Sequence, residues 1–268
     1  MQMTTKRRNL WPWLWITLGV LYFFLPLIGT LNFSLRERRG VLSLAAYENV
    51  FTDPKFLQTF TFSLEMAVLT IVVSLLLIVP TAYWVHLRVP RLRPVVEFIT
   101  LLPFVVPAIV LVFGLIKIYS RPPLVLTGSA ISTNALLVAG YVVLSLPYMY
   151  RAVDTGLRAI DVRTLTEAAQ SLGASWTTIL FQVIFPNVRV AILSGAFLTF
   201  AIVIGELTLA QYLARPAFGP YLALIGQDRA YEPAALAIIS FALTWAFIGL
   251  IQFIGRRSPG VAQLAGTK

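Results

Sequence analysis

Apolar runs as long as a bilayer is thick recur along this chain, and no other property restricts its fold so tightly. About 20 apolar residues carry a helix across the hydrocarbon layer. Such runs lie near Leu10–Leu31, Leu57–Trp84, Phe98–Tyr119, Ile131–Tyr150, Val190–Tyr212 and Ala234–Ile254. Mean hydropathy is +0.82, and only 12% of the 268 residues are charged. The expected architecture is all-α: a polytopic membrane protein of six transmembrane helices, forming a single domain over residues 1–268. The first run follows Lys6-Arg7-Arg8 but is long, is interrupted by Pro12 and Pro26, and has no small-residue cleavage site. It reads as a retained span.

The formal charge of +10 comes mainly from arginines at the ends of apolar runs. That distribution points to membrane topology and away from nucleic acid. With both termini in the cytoplasm, 13 of the 21 lysines and arginines lie inside, although Arg36, Arg38 and Arg39 then fall outside. This orientation makes residues 151–189 a cytoplasmic loop between the fourth and fifth spans. The chain has no cysteine, which excludes disulfides and thiolate metal sites. Its one histidine, His86, has no second ligand at helical spacing and suits a helix interface better than a metal. No catalytic or metal site is expected. A Gly-x-x-x-x-Gly-Lys-Ser/Thr phosphate loop is also missing, so the chain has no ordinary means of binding ATP.

Inside the loop, Thr164-Leu165-Thr166-Glu167 fits a capping box, Ala168 and Ala169 propagate a helix, and Gly173 suits a left-handed end. A second helix is expected from Trp176 to Phe185, opened by Ala174 or Ser175 and stopped at Pro186. The pair reads either as a hairpin folded onto its own bundle or as a handle for a soluble partner. Glu206 is the clearest charge within a span. It lies about 24 Å along the fifth helix from Val190, with Thr208 and Gln211 making the same stretch polar. It is read as a translocation-path residue or as a hydrogen-bonding partner for another helix. Glu65 and Lys117 sit near the outer interface, where a structural role suffices. Asp228, Arg229 and Glu232 are placed in an external loop.

Glu167-Ala168-Ala169, then Gly173-Ala174-Ser175, then Ile184-Phe185-Pro186 resembles the EAA loop of the membrane-spanning subunits of bacterial ABC importers. The resemblance extends to the six spans and to Leu146-Pro147-Tyr148 and Gly156–Asp161. It implies a non-enzymatic permease subunit of a bacterial inner membrane, with no cofactor of its own. ATP and Mg would be bound by ABC ATPase subunits seated on Glu167, Ala168, Ala169, Gly173, Ala174 and Pro186. The other implied partners are a second permease chain or an identical copy, and an extracytoplasmic solute-binding protein. The layout is most similar to the second permease of spermidine/putrescine-type importers, whose relatives carry ferric iron, thiamine or aminoethylphosphonate. Glu206 without a basic partner favours a cationic cargo on Coulomb grounds, hence a polyamine. An ion-coupled secondary transporter, with Glu206 as its ion site, is the reading from another class.

Overall fold

A computed structural model describes residues 11–38 and 40–256, and every regular element among them is helical. In chain order these are α1 (Trp11–Ser34), α2 (Ala45–Thr52), α3 (Pro54–Leu87), α4 (Arg93–Val105), α5 (Ala108–Tyr119), α6 (Ala130–Arg158) and α7 (Val162–Ser171). Then follow α8 (Trp176–Gly205), α9 (Thr208–Tyr212), α10 (Phe218–Asp228) and α11 (Glu232–Arg256). Helices α1, α3, α6 and α8 are each long and apolar enough to cross a membrane. The stretch Pro90–Val105 and α5 form a bent pair that adds a fifth crossing if they act as one span. The apolar part of α11 over Glu232–Ala246 is shorter.

Two expected spans are broken. The third was expected over Phe98–Tyr119, with Pro103 and Pro107 as places for a break or a kink, and its halves turn by 100° about Val106-Pro107. Pro107 has no N–H to continue the ladder and forces the residue before it out of the helical region. Val106 is accordingly extended, with ψ of 112°, and the Pro107 carbonyl restarts the ladder by accepting from Val110 and Leu111. The fifth was expected over Val190–Tyr212, but α8 ends at Gly205 and Glu206 is extended. A third departure lies before the last helix, where the expected external loop contains α10.

The described residues divide into two compact units. One comprises residues 11–54 and 224–243. Within it, Ser34 Oγ and Tyr47 OH lie 2.8 Å apart, and Asn49 Nδ2 donates to Glu37 Oε1 at 2.9 Å and to Glu232 Oε1 at 3.4 Å. Arg229 also pairs with Glu232, at 3.5 Å. Helix α1 buries no residue but Ser34, as expected of a helix whose apolar surface faces lipid.

The other unit comprises residues 55–223 and 244–256. Its main core is built from α3 (Ile78, Val79, Ala82, Tyr83), α6 (Met149, Val153, Leu157), α7 (Val162, Ala169) and α8 (Ile179, Ile184, Val188, Ile192). Helices α6 and α8 cross closely because each offers a glycine to the other. A Cβ on Gly156 would stand 2.6 Å from Ala191 Cβ, and one on Gly195 would stand 2.8 Å from Met149 Sδ. Lipid tails are as apolar as leucine, so helices within them associate through such small-residue approach.

Candidate functional site

The loop between α6 and α8 is the best-defined functional feature. Its first helix, α7, starts three residues before the expected capping box. Asp161 is the N-cap: its Oδ1 accepts from the Thr164 N–H at 3.0 Å and its Oδ2 from the Thr164 hydroxyl at 2.7 Å. Those two bonds, the backbone one foremost, hold the exposed Asp161 carboxyl below its usual range. Thr164 is therefore the third helical residue, and Glu167 does not reach back to a cap. Glu167 instead accepts from Arg163 Nε one turn away at 2.8 Å, both side chains lying in solvent. This pairing raises the Arg163 pKa, the hydrogen bond contributing more than the bare charge.

The far end of α7 follows its sequence. Gly173 has φ of +79°, its N–H bonds to the Gln170 carbonyl at 2.9 Å, and the Ala174 N–H bonds to the Ala169 carbonyl at 3.0 Å. This is a Schellman closure, and it needs a residue tolerant of positive φ. Ser175 caps the next helix by accepting from the Thr178 N–H. That helix does not stop at Pro186. A π-helical stretch over Ile179–Ile184 leads into Phe185-Pro186, and α8 continues through both. The widened turn removes the need for an N–H at Pro186, and Asn187 Nδ2 donates to the Val183 carbonyl at 2.7 Å. Loop and span are thus one helix.

The two faces of α7 differ in kind. Val162, Thr166 and Ala169 are buried in the bundle core. Because the Thr166 hydroxyl donates to the Val162 carbonyl, the Tyr83 hydroxyl of α3 donates to Thr166 Oγ1, at 2.9 Å. Trp176 meets Tyr83 edge to face and Trp84 at a tilt, with the Arg88 guanidinium over the Trp84 and Trp176 rings. The opposite face presents Arg163, Glu167, Ala168 and Gly173, with Leu172 89% exposed. Of the six residues expected to seat a partner, Glu167, Ala168, Gly173 and Pro186 are exposed, Ala174 is half-buried, and Ala169 faces the chain's own core.

Where α3, α4 and α6 meet, shortly before α7 in the chain, lies a charged hub that no motif in the sequence marks. Asp154, its side chain 8% exposed, accepts from His86 Nε2 of α3 at 2.8 Å and Arg93 Nη2 of α4 at 3.2 Å, and pairs with Arg158 Nη2 of α6 at 2.6 Å. Glu97 Oε1 in turn pairs with Arg93 and Arg158, both at 3.0 Å. A buried carboxylate in such a cluster ties together the helices that support it, and removing one partner from a buried pair costs about 3–5 kcal/mol. His86 accordingly serves at a helix interface. The sequence signal for Asp154 was weak, an acid one turn from Arg151 and from Arg158 just beyond the apolar run of α6.

At the other end of α6 the geometry around Glu206 differs from expectation. Its side chain folds back on the break after α8. Oε1 accepts from the Thr208 N–H at 2.8 Å and Oε2 from the Leu209 N–H at 2.9 Å, with Ala210 N–H at 3.4 Å. The carboxylate is thus occupied by the first free amides of α9. Thr208 is half-buried in the same turn, and Gln211 is exposed one turn on. Next to α9 lies an open cavity of about 400 Å³ of mixed lining, Thr127, Ser129, Thr133 and Arg215 beside Ile116 and Leu213, among others. Arg215 Nε is buried there without a hydrogen-bond partner among the described residues. Its guanidinium lies 5.8 Å from the Phe62 ring centre.

Residues 78–257 match the family described as the binding-protein-dependent transport system inner membrane component. The chain belongs to that family. The match contains the hub, the α7 loop and the Glu206 break. Membership in a binding-protein-dependent system sets aside the ion-coupled alternative. Among curated relatives, this inner membrane component is 26% identical over 246 residues to the spermidine/putrescine transport system permease PotC of Haemophilus influenzae, covering 88% of this chain and 93% of that protein. It is 31% identical over 233 residues to a probable molybdenum ABC transporter permease of Haloferax volcanii, covering 84% and 82%. A solved bacterial ABC transporter involved in import of the acidic polysaccharide alginate shares the fold, with a TM-score of 0.69 at 14% identity, covering 91% of this chain and 93% of that one.

Proposed function

We propose that this chain forms half of the translocation pathway of an ATP-driven importer, with a second permease chain or a copy of itself as the other half. The α7 loop is the seat for a soluble ABC ATPase, which binds the ATP and Mg. The end of the bundle carrying the loop then faces the cytoplasm. A solute-binding protein delivers cargo at the other end. One observation supports this above the rest: α7 has one face locked into the core of α3, α6 and α8 and an opposite face that offers an exposed leucine and a carboxylate. Because α8 runs unbroken from the loop into a span, force on the outer face of α7 reaches the membrane helices without passing through a flexible joint.

Leu172→Glu tests the seat, since a side chain 89% exposed contributes little to this chain's own folding. The expected result is normal membrane insertion with ATPase co-purification reduced about ten-fold or more, as a charge placed in an apolar contact requires. Undiminished co-purification and uptake would place the ATPase elsewhere.

For cargo, a polyamine is the first reading. It rests on likeness to the spermidine/putrescine permease along nearly the whole of both chains. Glu206 no longer adds to it, because backbone amides already occupy its carboxylate. A second reading, a small oxyanion, is favoured by the Arg215-lined cavity together with the likeness to the molybdenum permease.

A further inference from the structure

A cavity of about 310 Å³ opens between α4 and α6 at the loop end of the bundle, lined by Glu97, Thr100, Tyr150, Arg151, Asp154 and Arg158, among others. Its charges are unequally committed. Both Asp154 oxygens and Glu97 Oε1 already accept from the hub cations. Arg151 lines the same space, is exposed, and forms no ion pair among the described residues. Tyr150 is 3% exposed, and its buried hydroxyl has no hydrogen-bond partner among the described residues. Arg151 and Arg158 line the cavity with Glu97 and Asp154, and Arg93, which pairs with both of those acids, gives the wider cluster one cation in excess.

We propose that this cavity holds one phosphate-type oxyanion, either the headgroup of an anionic phospholipid or free phosphate. The Arg151 guanidinium is the principal charged donor. Its planar fork suits two phosphate oxygens at once. The Tyr150 hydroxyl, otherwise a buried donor left unsatisfied, supplies a further bond. Position supports the site as well. Arg151 is the first charge beyond the apolar run of α6, and Arg93 and Glu97 immediately precede the apolar stretch of α4, which is where a span meets the headgroup layer. Basic pockets between helices at that depth take phospholipid headgroups. Phe98 and Phe104, 65% and 59% exposed, belong to the same helix α4 and leave it an apolar surface for acyl chains.

The test uses the assembled transporter in nanodiscs of phosphatidylcholine, with or without phosphatidylglycerol. Native mass spectrometry counts the phosphatidylglycerol retained per permease chain. The thermal midpoint in millimolar inorganic phosphate, against equal ionic strength of chloride, reads the free ion. With a lipid source, phosphatidylglycerol stays bound and phosphate shifts nothing; with a free-ion source, the midpoint rises and no lipid is retained. In either case Arg151→Gln should weaken binding about ten-fold and Tyr150→Phe several-fold, with Arg151→Lys between wild type and Arg151→Gln. Tyr150→Phe keeps the ring in place and serves as the test if Arg151→Gln fails to assemble. Retention that is equal in wild type and variants would identify ordinary boundary lipid and overturn the proposal. Absence of both retention and a midpoint shift would overturn it equally.

Discussion

Ala214 closes α9 in a conformation that alanine resists. Its φ is 53°, its N–H bonds to the Gln211 carbonyl, and the next N–H, that of Arg215, bonds to the Ala210 carbonyl at 2.8 Å. This is the closure seen at Gly173, made without glycine. A left-handed L-residue costs about 1–2 kcal/mol, and roughly half of that returns as unfolded-state entropy when glycine is substituted. Ala214→Gly should therefore stabilise the chain by about 0.5–1 kcal/mol and raise its thermal midpoint in detergent by about 2 °C. An unchanged or lowered midpoint would show that the turn relaxes in the membrane-like environment. Gly173 was legible in the sequence because glycine is the residue such turns prefer; Ala214 was not, since its conformation is imposed by the packing that encloses α9. The partners of Glu206 were hidden for a related reason. An acid in an apolar run signals a cavity or a partner, and here the partners are amides freed by a helix break that the residue itself caps.

Helix α7 shows what local pattern carries and what it misses. Its polarity, small residues and glycine end were legible. Its start was not, because Asp161 and Thr164 are both good caps and only the backbone decides between them. The run through Pro186 was hidden too, since a π-turn that excuses a proline leaves no periodic mark. The Asp161 cap gives a pH signature. Its folded pKa is depressed below 3.8, so the stabilisation it provides is complete above that value and is lost as pH falls through the folded pKa. Amide exchange over Ala168–Leu172, followed by mass spectrometry, should be several-fold faster in Asp161→Ala than in the native chain at neutral pH. The two should converge in acid below the folded pKa. A difference that persisted there would mean that the alanine acts through packing rather than through the lost carboxylate.

At the scale of the whole chain, the apolar runs gave the helices and the broad class, while polar groups gather in two places that the apolar runs do not mark. Those gatherings lie at opposite ends of α6, whose 29 residues extend about 43 Å. The hub and the α7 loop occupy one end, Arg215 and Glu206 the other. Since Glu206 serves the turn, Glu206→Gln should weaken uptake of any cargo alike and cannot report cargo charge. Arg215 can. A guanidinium about 8 Å from a passing unit charge, at an effective dielectric near 20, interacts by about 2 kcal/mol, roughly thirty-fold in a rate or affinity. If the cargo is a polyamine, Arg215→Gln in proteoliposomes holding the complete importer should leave spermidine uptake unchanged or faster, because a repelling charge has gone. Arg215→Lys should behave as the native protein, separating charge from the lost contact with Phe62. Should Arg215→Gln instead leave spermidine unimported while reducing oxyanion uptake ten-fold or more, the cargo is anionic, and the Arg215 guanidinium is the charge that attracts it.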